Sequence, residues 1–230
     1  MLSIIRYSFS LCLIFFAATS FGQQKKVQKP KKNYTPTGFR VGTDLIDITK
    51  TLTSKTFSGW EVNGDVDFAN YYLTADVGSW AKDIALENGE YTNSGNYYRV
   101  GIDVNFLGND PDKNMYFLGF RVGQAAFNES INYVNTAPNL FSPFPTTATN
   151  VATGHWGEIT TGLRVKIWKG LWMGYTARLK LAPTVHGNPT FVTYDMPGYG
   201  VVQEKPWWGF NYQVFWRFAW KKDKIIPVKK

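Results

Sequence analysis

At 230 residues the chain has room for one domain with tails, and its 44% hydrophobic and 17% aromatic content comes with a mean hydropathy of −0.25. Apolar residues diluted this evenly exclude a bundle of membrane helices, which gathers them into runs of about 20. The net charge of +8 excludes less than it suggests: eleven of the 25 basic residues and one of the 17 acidic residues lie in the leader and the two tails, which leaves 14 and 16 between Asn33 and Trp220. A nucleic-acid-binding domain carries its positive charge on the folded face, so no nucleic-acid partner is expected.

The chain opens with a leader. Arg6 supplies a positive start, Leu11 to Ala18 a short apolar stretch, and Ser20-Phe21-Gly22 small residues before a cleavage point at Gln23. Residues 1–22 therefore read as a signal peptide. The only cysteine, Cys12, lies within it, so no disulfide is expected in the mature chain. Residues 23–36 form a Lys-rich, Pro-containing linker, expected to be periplasmic.

From Thr37 onward, apolar residues alternate with polar ones in segments of about ten, separated by Gly, Asn, Asp and Pro. The pattern predicts eight strands: Gly38 to Ile46, Gly59 to Phe68, Tyr71 to Lys82, Tyr97 to Phe106, Met115 to Ala125, Glu158 to Trp168, Leu171 to Leu181 and Trp208 to Trp220. No helix is predicted. The connections alternate in length. Ala69-Asn70, Leu107 to Asn114 and Lys169-Gly170 are short; Asp47 to Ser58, Asp83 to Asn96, Ala126 to Gly157 and Ala182 to Trp207 are long. Short turns at one end and long loops at the other are the rule for bacterial outer-membrane barrels. The expected fold is all-β: an eight-stranded antiparallel up-and-down transmembrane β-barrel over residues 37–220, followed by a basic tail, residues 221–230.

A soluble sandwich or calyx shows the same period with the opposite sidedness. Two features favour the membrane form. Large aromatics stand near strand ends on the apolar face, as an interfacial girdle requires: Trp60, Tyr71, Tyr98, Phe106, Tyr116, Phe210, Phe218 and Trp220. The other face is rich in Gly and charge, which suits a crowded lumen.

The last strand, Gly209 to Trp220, with its alternating aromatics, resembles the signal by which outer-membrane barrels are recognised for insertion. Here the aromatic end is followed by Lys221 to Lys230, a departure from that pattern. Gly38 to Leu45 and Gly59 to Trp80 resemble small outer-membrane β-barrel proteins of an uncharacterised Bacteroidota-type family. The resemblance covers most of the mature chain and implies a fold and an outer-membrane location, not an activity.

The polar face is expected to hold a lumen charge network of Arg40, Asp44, Glu61, Asp65, Asp67, Asp76, Arg99, Asp103, Arg121, Glu158, Arg164, Lys166, Arg178, Lys180 and Arg217. Eight strands leave room only for side chains to fill the interior, and buried charges must be paired. Acids of the second and third strands should therefore meet bases of the sixth and seventh across the lumen. No cofactor or metal site is expected, since no HExxH, CxxC, P-loop or Gly-x-Ser-x-Gly is present. The expected role is structural, docking or adhesive within the cell envelope. The expected partners are outer-membrane lipid and a periplasmic or envelope protein met by the basic tails. A lipid-modifying enzyme built on His155 and Ser130 is one alternative, and a narrow small-solute channel is another. Aromatic and Pro-rich loop segments (Tyr133, Phe141, Phe144 and Pro145; Phe191, Tyr194, Pro197 and Tyr199) either offer a recognition surface or pack on one another above the barrel.

Overall fold

Strands that alternate greasy and polar side chains must both sort their two faces and pair their edges, and closing the sheet on itself does both. The computed structural model describes residues 34–108, 110–135, 144–204 and 206–220. The predicted leader, most of the predicted linker and the C-terminal tail lie outside the described residues. In chain order the elements are β1 (Gly38–Asp44), α1 (Leu45–Thr53), β2 (Phe57–Phe68), β3 (Tyr71–Leu86), β4 (Gly89–Asn105), β5 (Met115–Asn135), β6 (Phe144–Trp168), β7 (Leu171–His186), β8 (Asp195–Met196), β9 (Gly200–Val201) and β10 (Trp207–Ala219). Strands β1 to β7 and β10 form one closed antiparallel barrel, each beside its chain neighbour, while β8 and β9 form a separate small hairpin. β1 closes the ring, with Gly38 opposite Ala219 of β10 and Arg40 opposite Asp65 of β2. The end that carries Gly38 and Ala219 is the lower end below.

The seam is tied by Asp67, which accepts hydrogen bonds from the Thr37 backbone (2.6 Å), the Gly38 backbone (3.0 Å) and Arg217 (2.8 Å). Small residues on the inner face make room for large neighbours. A side chain at Gly119 would collide with Asp103, and one at Gly123 with the Trp156 ring.

Which face points where is now settled, and it changes along the barrel axis. In the lower part the outward residues are apolar: Tyr98, Val100, Ile102 and Val104 on β4, and Tyr116, Leu118, Phe120 and Val122 on β5, all exposed. The inward residues of the same stretch, Arg99, Asp103 and Arg121, are buried. Higher up the outward face turns polar. β4 turns Glu90, Thr92, Ser94 and Asn96 outward; β5 turns out Gln124, Asn128 and Ser130; β6 turns out Thr147, Thr149, Thr153 and His155. Inside this upper part sits an apolar cluster of Tyr97, Ala125, Phe127, Ala152, Trp156, Met196 and Tyr199, with Trp80, Val185, Val202 and Trp207 packed on it. Each fully buried large apolar side chain there contributes about 1.5–3 kcal/mol.

Several expected boundaries are corrected. The first strand ends at Asp44 rather than Ile46, and Leu45–Thr53 is a helix where the end of that strand and the start of a loop were expected. Its start is set by Asp44, whose carboxylate caps the Ile46 N–H at 3.1 Å. The stretches Asp83 to Asn96 and Ala126 to Gly157 are largely strand, so β3 and β4 are joined by Glu87 and Asn88 alone. β7 runs on to His186, past Ala182 at φ 48°, opposite a register shift between His155 and Gly157 of β6. Among the described residues of the expected long loops, those between His186 and Trp207 stay mostly irregular and fold β8 and β9 down into the barrel mouth.

Candidate functional site

The inward stripe of each strand brings its charges to one level of the lumen. Asp65 takes Arg40 at 2.8 Å from the neighbouring strand and Arg164 at 2.5 Å from across the barrel. Asp76 takes Arg121 at 2.5 Å, Arg99 at 3.2 Å and Arg178 at 3.3 Å. Asp103 pairs with Arg121 at 3.0 Å, and Glu158 with Arg178 at 2.9 Å. Glu61 pairs with Arg99 and also accepts from the Tyr97 hydroxyl at 2.6 Å. Five guanidinium groups thus face five carboxylates, each nearly excluded from solvent, which is the pairing that buried charge demands.

The pairing differs from the expected one in detail. Asp65–Arg164 and Asp76–Arg178 do cross from β2 and β3 to β6 and β7. Arg40, Arg99 and Arg121, on β1, β4 and β5, share equally in the network, and Glu158 of β6 serves its own neighbour Arg178 on β7. Lys166 does not join: it meets Asp112 at 2.7 Å at the exposed lower rim, because β6 leaves the lumen there. Asp44 is buried but takes Asn211 at 2.6 Å rather than a cation. Lys180 donates to the carbonyls of Gly198 and Tyr199, both at 2.7 Å, so it holds the β8–β9 turn rather than a carboxylate.

Below the ionic layer, Arg40 lies over the Tyr72 ring at 4.8 Å and Arg164 over Phe117 and Phe215 at 4.9 and 4.6 Å. Above it, a second polar group anchors the hairpin: Glu129 accepts from Tyr91, Asn150 and Thr193, and Lys82 reaches Asp195 at 2.7 Å. All eight residues of the expected aromatic girdle lie on the outward face, in two sets. Tyr71, Phe106, Tyr116, Phe218 and Trp220 stand towards the lower end, and Trp60, Tyr98 and Phe210 near the level where polarity reverses.

The other sequence-derived candidates fall apart in space. His155 points outward opposite Gln124 and packs against His186 with ring centroids 6.0 Å apart. Ser130 lies opposite Thr149, six register steps from His155, or about 20 Å along the strand. No acid–base–nucleophile set is assembled there. Phe141 lies outside the described residues. Tyr199 is not a surface residue but part of the buried cluster, where Gly198 at φ 78° and Gly200 at φ 113° shape the turn that carries it.

Sequence reasoning missed a cavity of about 600 Å³ above the ionic layer. Its floor is Glu61, Tyr97 and Arg99, its roof the Gly198–Gly200 turn, and one wall is α1 with Asp47 and Lys50. It exists because β1 is short. β1 pairs with β2 only as far as Val62 and with β10 only as far as Gln213, so residues 57–61 and 207–212 have no strand between them. Helix α1 occupies that gap. Thr51 Oγ1 accepts from the Gly59 N–H at 2.7 Å and donates to its carbonyl at 2.8 Å, which stitches the helix to the free edge of β2. Asp47 is 8% exposed and makes no hydrogen bond within the described residues. Burial, with Asp44 and Glu61 nearby, pushes its carboxyl up to about 6. The short helix that replaces half a strand was legible only as the Asp44 cap, a signal too common to stand alone.

A model described as a domain of unknown function, DUF6048, matches residues 4–222. The chain belongs to the DUF6048 family. The match takes in every described strand, so the barrel, its ionic layer and the α1-filled gap all lie within the DUF6048 domain. Among curated proteins none matches this DUF6048 chain.

Proposed function

We propose that this protein is an outer-membrane β-barrel that crosses the bilayer with its lower part, carries an extracellular β-head, and serves a structural, docking or adhesion role in the cell envelope. One observation carries the reading: the outward face changes from apolar to polar at one level on β4, β5 and β6. Water on both sides of a sheet gives no reason for that change. A hydrocarbon slab around the lower part and water around the upper part requires it. The strand lengths agree, since about 9–11 residues cross a bilayer and β5 and β6 have 21 and 25. The remaining residues build the head, whose Thr- and Asn-rich outer face is the docking surface in this reading. Both ends of the barrel chain leave from the lower end, so the basic tails would meet a periplasmic partner.

The test is spin-label accessibility in vesicles, with single cysteines in a background lacking Cys12. Labels at Val100, Ile102, Phe120 and Val122 should be quenched by oxygen and not by a water-soluble nickel reagent. Labels at Ser94, Asn128 and Thr149 should show the reverse. Nickel access at Ile102 and Phe120 equal to that at Asn128 would rule the membrane reading out.

A further inference from the structure

The cavity above the ionic layer opens through the barrel wall. Its lining takes in consecutive residues of β10 from Trp207 to Asn211, including both the inward Trp207 and Gly209 and the outward Trp208 and Phe210. A cavity touches both faces of a strand only where that strand has a free edge. β10 is free there because β1 stops at Asp44, and α1 packs mainly on β2, less on β10. One opening is therefore on the β10 side, with an outer lip formed by Trp208 and Phe210, which are 59% and 65% exposed, and a second lies at Lys82 to Ile84, where β3 runs past the start of β2.

Trp208 and Phe210 stand at the level where the outer face turns from apolar to polar, beside Trp60 and Tyr98 in the upper aromatic set. What passes between them and α1 must touch hydrocarbon outside and a polar, aromatic chamber inside. The chamber offers the unpartnered Asp47 carboxylate, the neighbouring Lys50 and the rings of Phe57, Trp80 and Tyr97. A carboxylate beside ring faces suits a group that donates hydrogen bonds, an ammonium above all.

We infer that this chamber binds the head of a membrane amphiphile entering sideways between α1 and β10, with an ammonium or hydroxyl donor of the head on Asp47 and the acyl chains left outside along Trp208 and Phe210. The inference rests on the membrane reading above. A zwitterionic head fits both charges of α1, its ammonium on Asp47 and its phosphate towards Lys50.

The experiment uses the full chain in mild detergent, with phosphatidylethanolamine or phosphatidylcholine of identical acyl chains, and counts retained lipid by native mass spectrometry. Phosphatidylethanolamine should be retained as a single copy, with phosphatidylcholine, whose head has no N–H donor, about tenfold weaker. Asp47→Asn should abolish that difference. Gly209→Phe, at an inward position whose added Cβ would meet the Lys180 side chain at 3.0 Å and Arg178 Cβ at 3.8 Å, should fill the chamber and abolish retention of both. A glucosyl diacylglycerol retained better than phosphatidylethanolamine would support the site and assign the donor to a sugar hydroxyl. Equal retention of all three lipids by wild type, or unchanged retention in both variants, would overturn the inference. Vesicle flotation and heat-modifiable migration are read on the same samples. A chain that inserts but retains no lipid defeats this inference alone, and one that does not insert defeats the membrane reading with it.

Discussion

Asp76 shows how much one side chain can hold. It is buried and receives Arg99, Arg121 and Arg178, with Asn63 donating at 2.8 Å. Asp76→Ala leaves the five guanidinium groups facing four carboxylates in place of five, so it should cost about 3–5 kcal/mol. Urea titration of the folded barrel, followed by heat-modifiable migration, measures it; a change below 1 kcal/mol would mean the network is not sustained by pairing. Asp47 should behave in the opposite sense. Its folded value near 6 lies above the ordinary 3.8, so the folded state holds the proton more tightly between those values. Stability from this group therefore falls as pH rises from about 4 to 6 and stays low above. Asp47→Asn should raise stability at pH 7 and flatten that slope, and an unchanged pH profile would count against a buried, unpaired carboxylate. At this scale the sequence was legible by face and not by partner. Period two put Glu61, Asp65 and Asp103 on the inner side, but which arginine meets which acid depends on strand tilt and stagger, and no local pattern records those.

Elements were legible where the outer face is apolar and lost where it is not. The lower boundaries at Phe68, Tyr71, Met115, Trp168 and Leu171 stand as expected, because alternation of large apolar residues with charge is unmistakable there. The upper parts of β5 and β6, residues 126–134 and 146–157, present Asn, Ser and Thr outward and Ala, Phe and Glu inward. That stretch reads as a loop by composition although it is paired residue for residue, Phe127 with Ala152 and Glu129 with Asn150. Helix α1 was hidden for another reason. Leu45 continues the alternation of Phe39, Val41 and Thr43, and nine residues are too few to show a helical period. A helix this short is marginal by itself, so its attachment to β2 should matter. Thr51→Val keeps the shape but removes both hydrogen bonds to Gly59. The expected cost is about 1–3 kcal/mol, with faster amide exchange confined to α1 and the upper end of β2. Exchange that rises evenly around the barrel would show that α1 is not a local plug.

The whole molecule sets the question of conduction, because its lumen is closed by different chemistry at successive levels. Lowest is an aromatic and sulfur layer, Tyr72, Met115, Phe117 and Phe215, each at most 2% exposed. The arginine–carboxylate layer follows, and above the cavity the Tyr199 and Met196 turn sits in the upper apolar cluster. An ion would have to desolvate at the first layer, break paired charges at the second and displace packed rings at the third. No single layer is the gate, so opening one should not open the path. Purified wild-type protein in planar bilayers should record baseline current only. Phe117→Ala should cost about 3–5 kcal/mol in unfolding and still record baseline, because the ionic layer above it remains intact. On the outer face, Ile102→Val should be nearly silent, whereas in the proposed membrane setting Ile102→Arg should cost about 2–4 kcal/mol without any current, since it alters the outward side and not the lumen. A steady ohmic conductance in wild type would sink the closed-lumen account and favour the small-solute channel. Conductance appearing with Phe117→Ala alone would show that the lower aromatic layer is the sole barrier and that the buried charges leave a hydrated path between them.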